Sequence, residues 1–191
     1  RYTGQEDLVV GSPALGRTKA EFEPIVGYFV NPIALRSNLA GNPTFAEFLA
    51  QVRETVLDGL AHQDYPFARL VEKLQPPRDP SRSPIFQVAF DWYATNRSDE
   101  TDPSPIQRAD TAARDGDQQP DQPVFSSGQR GAPFDLMLMM VTVDRSLTAS
   151  LQYNTDLFDR ATIARMCEHF GTLLEAIAEA PNRPIDDLPL L

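Results

Sequence analysis

The sequence has few of the residues on which many catalytic and metal-binding sites depend. Only one of its 191 residues is a cysteine, Cys167, so an internal disulfide and any multi-cysteine metal site are excluded, as fits a reducing cytoplasm. The two histidines, His62 and His169, stand far apart, and no spacing of His, Cys and acidic residues matches a metal site. No apolar run is long enough to cross a bilayer. We therefore expect a cytoplasmic protein with no metal and no membrane segment.

Basic residues are also scarce. The chain has 17 Lys and Arg against 27 Asp and Glu, a formal net charge of −10. The basic residues are scattered, whereas nucleic-acid binding needs a clustered basic patch, so we expect no nucleic-acid partner. The first residues, from Arg1, include neither an initiator Met nor a signal-peptide core, and we expect the chain to be part of a longer one.

The most informative stretch is residues 25–36, Ile-Val-Gly-Tyr-Phe-Val-Asn-Pro-Ile-Ala-Leu-Arg. Its β-branched and aromatic residues predict a strand buried on both faces. Pro32 has no N–H to donate, so the Asn31-Pro32 step predicts a bulge or strand break that aims the Asn31 side chain into a cleft. Asn31 is then either a functional polar group or only the cap of a turn.

Three helices follow from local signals. Thr44 and Glu47 form a capping box, and Pro66 is suited to the first position of a second helix. Asp159 is placed to cap a third helix. Apolar residues recur at helical spacing and predict core faces, with Cys167 as a core residue: Phe45, Phe48, Leu49, Val52, Val56, Leu57 and Leu60 in the first helix, and Ile163, Met166, Cys167, Phe170, Leu173, Leu174 and Ile177 in the third.

Strands are predicted over residues 8–10, which Gly11-Ser12-Pro13 ends, over 85–92, and over a hairpin between 134 and 153 that turns at Asp144-Arg145. In the strand 85–92, Val88 and Trp92 share an apolar face, and Asp91 lies on the opposite face. Residues 94–133, with many acids and prolines and one aromatic, predict a long mobile insertion. Without βαβ alternation, these elements indicate an α+β fold: a single domain over 1–191, with a mixed sheet covered by helices on one side.

Two clusters suggest chemistry. His62, Asp64 and Tyr65 lie within four residues, but they fall in a helix–helix elbow, where such side chains usually bond the backbone. The glycines on either side of Ser12-Pro13, followed by Arg17, suggest an anion cradle, yet their spacing matches neither a P-loop nor a dinucleotide fingerprint. His169 lies off the apolar stripe of its helix, and we expect it to be solvated. The residues themselves therefore indicate no self-sufficient active site.

Four blocks, in their order and spacing, resemble the later motifs of nonribosomal peptide synthetase condensation domains. They are Val-Gly-Ser-Pro-Ala-Leu-Gly-Arg at 10–17, Val-Gly-Tyr-Phe-Val-Asn-Pro-Ile-Ala-Leu-Arg at 26–36, His-Gln-Asp-Tyr-Pro-Phe at 62–67, and Arg-Asp-Pro-Ser-Arg-Ser-Pro-Ile-Phe-Gln at 78–87. The tail from Leu151 to Leu191 resembles the closing helix of that family and, at 182–191, the start of its linker to the next domain. The resemblance covers essentially the whole chain.

The resemblance implies the second, C-terminal lobe of a chloramphenicol-acetyltransferase-like pair, with an active site on a tunnel between the lobes. The family's His-His-x-x-x-Asp-Gly signature belongs to the first lobe and does not occur here, so no catalytic residue is expected in this chain. Arg17 matches the arginine that pairs with the aspartate of that signature, and Asn31 matches an asparagine near the tunnel. Without that aspartate, we expect the Arg17 guanidinium to face water.

The other matched motif residues are expected to be structural: His62, Asp64, Tyr65, Arg78, Asp79 and Arg82. Three positions depart from the family pattern. Ser12 replaces the usual Thr, and Ala68 replaces an acid that often follows the Pro-Phe step. Pro32 replaces a common Thr, as in the variant seen in hybrid polyketide–peptide systems.

For function, the resemblance implies that the complete domain forms an amide between an acyl or peptidyl thioester and an aminoacyl thioester. Both are carried on phosphopantetheine arms of carrier domains, and no cofactor is bound directly. The implied partners are the N-terminal lobe, upstream and downstream carrier domains, and an adjacent adenylation domain. We expect this chain alone to be inactive. Open alternatives are an epimerising or cyclising relative, a coenzyme A-dependent acyltransferase lobe, and a non-catalytic carrier-docking module.

Overall fold

The computed structural model describes residues 2–77, 79–95, 133–143 and 146–190. The predicted mobile insertion over 94–133 therefore lies almost wholly outside the described residues, as do Arg78 and the Asp144-Arg145 turn. Ala94 and Thr95 are described, and they belong to a strand. This strand thus ends at Thr95, three residues beyond the predicted end of the strand at Trp92.

Within the described ranges, five strands form one mixed sheet. They are β1 (Asp7–Ala14), β2 (Asn31–Asn38), β3 (Val88–Thr95), β4 (Leu136–Val143) and β5 (Ser146–Tyr153). Their order is β2-β1-β3-β4-β5. The outer pairs β1–β2 and β4–β5 are antiparallel, whereas β3 runs parallel to both β1 and β4. This arrangement confirms the predicted α+β class and the hairpin between 134 and 153.

In the same part of the chain, three α-helices accompany the sheet: α1 (Phe45–Ala61), α2 (Phe67–Leu74) and α3 (Arg160–Glu179). α1 begins with the predicted capping box, in which Thr44 and Glu47 satisfy each other's backbone N–H groups. Asp159 caps α3 by accepting a hydrogen bond from Thr162 N at 2.6 Å. α1 lies against β2, where Gly59 leaves room for the side chains of Ile33 and Leu35.

Among the described aromatic side chains Phe86 is the most buried: it is 1% exposed and stands just before β3. Its ring lies 5.4 Å, centroid to centroid, from Phe67 at the start of α2 and 5.4 Å from Phe134 before β4. The ring also lies over Gly11, where an added Cβ would be 2.0 Å from Phe86 Cε2. Gly11 lies inside β1, where the lack of a side chain lets the Phe86 ring approach the backbone. The prediction that Gly11 helps to end the strand is therefore wrong.

The predicted strand over 25–36 is wrong in its first half, since β2 begins at Asn31. Residues 25–28 are exposed instead of buried. The expected bulge at Pro32 is also absent, because the pairing of β1 with β2 runs without interruption through Pro13 and Pro32. β2 is an edge strand, and a missing N–H is tolerated there.

Two burial predictions are reversed. On β3 the buried residues are Ala89 and Asp91, while Val88 and Trp92, predicted as part of the core face, are exposed. Cys167, predicted as a core residue, is exposed on α3. Some leucines of the predicted helix stripes are exposed as well: Leu49, Leu57, Leu60 and Leu174.

The segment after α3, predicted as the start of a linker, contacts the residues before α1 over its described part, 182–190. Arg183 O accepts a hydrogen bond from Phe45 N at 3.3 Å, and Ile185 N donates to Pro43 O at 3.0 Å. Asp186 N donates to Asn42 Oδ1 at 2.9 Å. Leu188 is 1% exposed. These residues therefore pack against the part of the chain that leads into α1.

Candidate functional site

Arg17 is the centre of a loop that runs from Leu15 to Phe29, which we call the Arg17 loop. Its Nη1 donates to the carbonyls of Phe22 and, at 3.4 Å, of Glu23. Its Nη2 donates to the carbonyls of Ile25 at 3.0 Å and Gly27 at 3.5 Å. The guanidinium carbon lies 4.4 Å from the centroid of the Phe29 ring, a cation–π contact.

The Arg17 guanidinium, expected to face water, is instead half-buried and hydrogen-bonded to the backbone of its own loop. Within the described chain, the guanidinium is bonded to four backbone carbonyls, and only its Nε–H has no acceptor. These bonds also explain why residues 25–30 form no strand, because the carbonyls of Ile25 and Gly27 bond the arginine instead of a neighbouring strand.

Asn31 joins β2 to the elbow between α1 and α2. Its Nδ2 donates to the carbonyls of Gln63 and Tyr65, each at 2.8 Å. Its Oδ1 accepts from Phe67 N at 2.9 Å, so it satisfies one of the free N–H groups at the start of α2. The amide group thus has three backbone partners, and its contacts fix the elbow in place.

The three side chains of the elbow are not brought together as an acid–base group. His62 ends α1, and its Nδ1 lies 2.8 Å from Asp58 O. Tyr65 contributes its carbonyl to Asn31, while its ring is exposed. Asp64 is exposed. His169, predicted to be solvated, is half-buried, and its Nδ1 lies 2.5 Å from the Tyr2 hydroxyl.

Asp79 and Arg82 stabilise the loop between α2 and β3. Asp79 Oδ1 accepts from Ser81 N at 3.0 Å, and Oδ2 accepts from Arg82 Nε at 2.7 Å. The Ser81 hydroxyl also donates to Oδ1, at 2.6 Å, and this bond, followed by those from Ser81 N and Arg82, lowers the pKa of the Asp79 carboxyl. The loop and α2 border an open cleft of about 1280 Å³, whose walls are mainly proline and aliphatic side chains: Ala68, Val71, Pro76, Pro77, Pro80, Pro84 and Ile85.

The sequence does not indicate that Asp91 is buried. It is 7% exposed and hydrogen-bonds to Tyr93 on the same face of β3. Burial raises the pKa of the Asp91 carboxyl, against the opposing effect of that hydrogen bond. Burial and the neighbouring Asp91 raise the pKa of Tyr93 to about 12. The alternation in the sequence marks two faces, but it does not reveal that the carboxylate face is the buried one.

The raised pKa of Asp91 predicts that the free energy of unfolding falls as pH rises from about 4 through the folded-state pKa. The reason is that the folded state keeps a proton which the unfolded state has already lost. Urea melts across this pH range should show the fall, and Asp91→Asn should flatten it. Asp7→Asn is the matched control. The hydrogen bond from Arg36 lowers the pKa of Asp7, so the contribution of Asp7 to the free energy of unfolding rises with pH instead of falling. An unchanged pH profile in Asp91→Asn would contradict this assignment.

The register places Arg17 and Asn31 at the same end of the sheet. Asn31 pairs with Ala14, the last residue of β1, and Arg17 follows three residues later. Among the described residues no group of three His, Cys or acidic side chains could hold a metal ion. Along the same ranges no helix is long and apolar enough to cross a membrane. Within the described ranges, this end of the sheet offers a loop held by side-chain-to-backbone hydrogen bonds, one arginine N–H without an acceptor there, and exposed apolar side chains.

Comparison with curated proteins identifies large synthetases as relatives. The chain is 38% identical over 193 residues to chondramide synthase cmdD of Chondromyces crocatus, covering 100% of this chain and 4% of that protein. It is 36% identical over 192 residues to tyrocidine synthase 2 of Brevibacillus parabrevis, covering 100% of this chain and 5% of that protein. The chain thus spans only a small part of the relatives that it matches.

Solved structures give the same result. AB3403, a four-domain nonribosomal peptide synthetase bound to AMP and glycine, matches with a TM-score of 0.79 at 27% identity, over 97% of this chain and 14% of that one. The X-domain from teicoplanin biosynthesis matches with a TM-score of 0.76 at 28% identity, over 100% of this chain and 41% of that one. The family described as Condensation domain matches residues 1–191. The chain therefore belongs to the condensation-domain family of nonribosomal peptide synthetases.

Proposed function

We propose that this chain is the C-terminal lobe of a condensation domain, and that the complete domain joins a carrier-bound acyl or peptidyl thioester to a carrier-bound aminoacyl thioester. The observation that carries the proposal is the family match over residues 1–191, in a chain that spans 41% of a solved X-domain. The absence of the His-His-x-x-x-Asp-Gly signature from the sequence supports the assignment to the second lobe.

In the proposed reaction the amine of the acceptor attacks the thioester carbonyl of the donor. The new C–N bond forms as the C–S bond breaks, and the thiol of the donor's phosphopantetheine arm leaves with the proton lost by the amine. A tunnel that holds both arms supplies proximity and orientation, while the histidine signature of the other lobe would accept the proton or orient the amine. This lobe contributes a tunnel wall and a docking surface but no catalytic residue.

Each candidate residue has a proposed role in that scheme. Asn31 holds the α1–α2 elbow beside the tunnel wall, and Arg17 lies where the lobes meet. His62, Asp64, Tyr65, Arg78, Asp79 and Arg82 are structural. The proposed partners are the N-terminal lobe, the upstream and downstream carrier domains and an adjacent adenylation domain, all in the cytoplasm. The phosphopantetheine arms belong to the carriers, so the domain itself binds no cofactor directly.

The test uses the intact domain that contains this chain. We expect it to form an amide product, detected by mass spectrometry, when its own donor and acceptor carriers are loaded with their thioesters. A donor carrier without its phosphopantetheine arm is the matched control, and it should give no product. Equal turnover with a coenzyme A thioester and no donor carrier would contradict the proposal and favour an acyltransferase. A change in the stereochemistry of a carrier-bound residue, or its cyclisation, would favour an epimerising or cyclising relative.

The second candidate is a module that docks partners without chemistry. It is favoured by the match to the X-domain of teicoplanin biosynthesis, which has been solved in complex with OxyB and matches here with a TM-score of 0.74 at 28% identity. The sequence of the adjoining lobe distinguishes the two functions. An intact His-His-x-x-x-Asp-Gly signature supports condensation, whereas a parent chain without it supports docking alone.

A further inference from the structure

His169, in the middle of α3, contacts a residue that lies before the first strand. Its Nδ1 is 2.5 Å from the hydroxyl of Tyr2, and the two rings stack with their centroids 6.0 Å apart and an interplanar angle of 20°. His169 is half-buried, whereas Tyr2 is 62% exposed. The Tyr2 ring therefore lies on the surface of α3, and the contact joins residues that are 167 positions apart in the chain.

Residues 2–6, which we call the entry segment, lead from this contact into β1. At the other end of the segment, Glu6 O accepts a hydrogen bond from Leu39 N at 2.7 Å, just after β2. Between the two ends the backbone turns at Gly4, which has a φ of +66°. Glycine adopts this conformation and many others at little cost, so Gly4 is the position at which the segment pivots most easily. The contact with α3 fixes the part of the segment that lies before this pivot.

α3 does not need the contact in order to stay on the lobe. Its residue Ile163 is 7% exposed, and the segment after the helix bonds to the residues before α1, from Phe45 N to Arg183 O at 3.3 Å and from Ile185 N to Pro43 O at 3.0 Å. A ring that is 62% exposed also buries little apolar area, so the contact adds little to the free energy of unfolding. What the contact does fix is the direction in which the backbone reaches β1.

We propose that the Tyr2–His169 contact holds the entry segment against α3, and that His169 is a positioning residue for the arrangement of the two lobes. This inference rests on the proposed function, in which the N-terminal lobe precedes this chain and is connected to it through the entry segment. The tunnel supplies proximity, and a misplacement of about 1 Å can lower the rate of such a reaction by about two orders of magnitude. Without the contact, the connection pivots at Gly4 and the tunnel walls lose their fixed spacing.

The test measures the spacing of the lobes in the intact domain. Leu57→Cys, at an exposed position of α1, carries one nitroxide, and a cysteine on the N-terminal lobe carries the second, in a background with Cys167→Ser and no other cysteine. Double electron–electron resonance then gives the distribution of distances between the two labels. His169→Ala should widen this distribution about twofold, because the freed backbone turns at Gly4. Glu168→Ala, at the neighbouring exposed position of α3, is the matched control and should leave the width unchanged. Equal widths in the two variants would overturn the proposal.

A double-mutant cycle in the amide-forming assay tests the contact itself. His169→Ala and Tyr2→Ala should each lower kcat about tenfold and leave the KM for the loaded carriers within about twofold, because misplacement acts on the reacting groups and not on docking. The double variant should be no slower than either single variant, since each substitution removes the same contact. Losses that multiply in the double variant would show that the two residues act separately, and would overturn the proposal.

The distance measurement does not depend on turnover, so it separates this inference from the proposed reaction. A wider distribution for His169→Ala in a domain that forms no amide would support the role of His169 and reject the reaction. An unchanged distribution in a domain that forms the amide would reject the role of His169 alone. Circular dichroism shows whether each variant is folded. If His169→Ala does not fold, Tyr2→Ala, which removes an exposed ring, should widen the distribution in the same way.

Discussion

Phe86→Ala should lower the free energy of unfolding by about 4 kcal/mol, the range typical of removing a fully buried aromatic ring. Phe86 contacts Phe67 of α2, Phe134 before β4 and the backbone of Gly11 in β1. Its removal leaves a cavity that joins a helix to two strands, and the rigid backbone of the sheet cannot collapse to fill it. Urea melts followed by circular dichroism would measure the loss.

Trp92→Ala is the matched control, because Trp92 is an exposed aromatic residue of β3 and its removal should cost less than about 1 kcal/mol. A double-mutant cycle with Gly11→Ala tests the contact itself. Gly11→Ala should be strongly destabilising alone, because its Cβ would overlap the Phe86 ring, and much less so in the Phe86→Ala background. Additive losses would show that the ring does not lie over Gly11.

Asn31→Ala should lower the free energy of unfolding by about 3 kcal/mol. The substitution removes three hydrogen bonds, of which those to the Gln63 carbonyl and from the Phe67 N–H are part-buried and the one to the Tyr65 carbonyl is exposed. The loss should appear in urea melts and as faster hydrogen exchange of the Phe67 amide, since α2 loses its external cap.

Asn38→Ala is the control for Asn31→Ala. Asn38 ends the same strand, and among the described residues its side chain accepts one hydrogen bond, from Ala40 N in an exposed turn, so its replacement should cost less than about 1 kcal/mol. Equal losses in the two variants would contradict the assignment of Asn31 as the residue that fixes the elbow.

The features that the sequence predicted correctly are those with local causes. The capping box of Thr44 and Glu47 depends on four consecutive residues, and the Asp159 cap depends on the next three. The hairpin of β4 and β5 was predicted because an apolar run of strand length is followed, after only a few residues, by an alternating run of similar length. In each case the residues that decide the structure are neighbours in the chain, so their spacing carries the information.

The errors arise where distant residues decide the outcome. Residues 25–30 have the composition of a strand, but the guanidinium of Arg17 takes the carbonyls of Ile25 and Gly27. On β3, alternation marks two faces without saying which is covered, and the face of Asp91 is the buried one. Gly11 resembles a strand terminator until the ring of Phe86, 75 positions away, is placed over it.

For the candidate site, too, the sequence predicted which residues matter but not what they contact. The resemblance selected Arg17 and Asn31, and the register brings both to one end of the sheet. It did not predict their partners, because these are backbone carbonyls and amides whose positions depend on the folded loop and elbow. Asp91 has no motif to mark it, and only burial distinguishes it from a solvated strand acid.

The most direct test of the account compares this chain alone with the intact domain in the same amide-forming assay. Donor and acceptor thioesters are supplied on their carriers at equal concentrations, and product is measured over many turnovers of the intact domain. The account predicts product at the buffer rate for the chain alone, because the proposed histidine signature and half of the tunnel lie in the other lobe. Turnover by the chain alone within a few-fold of the intact domain would contradict it.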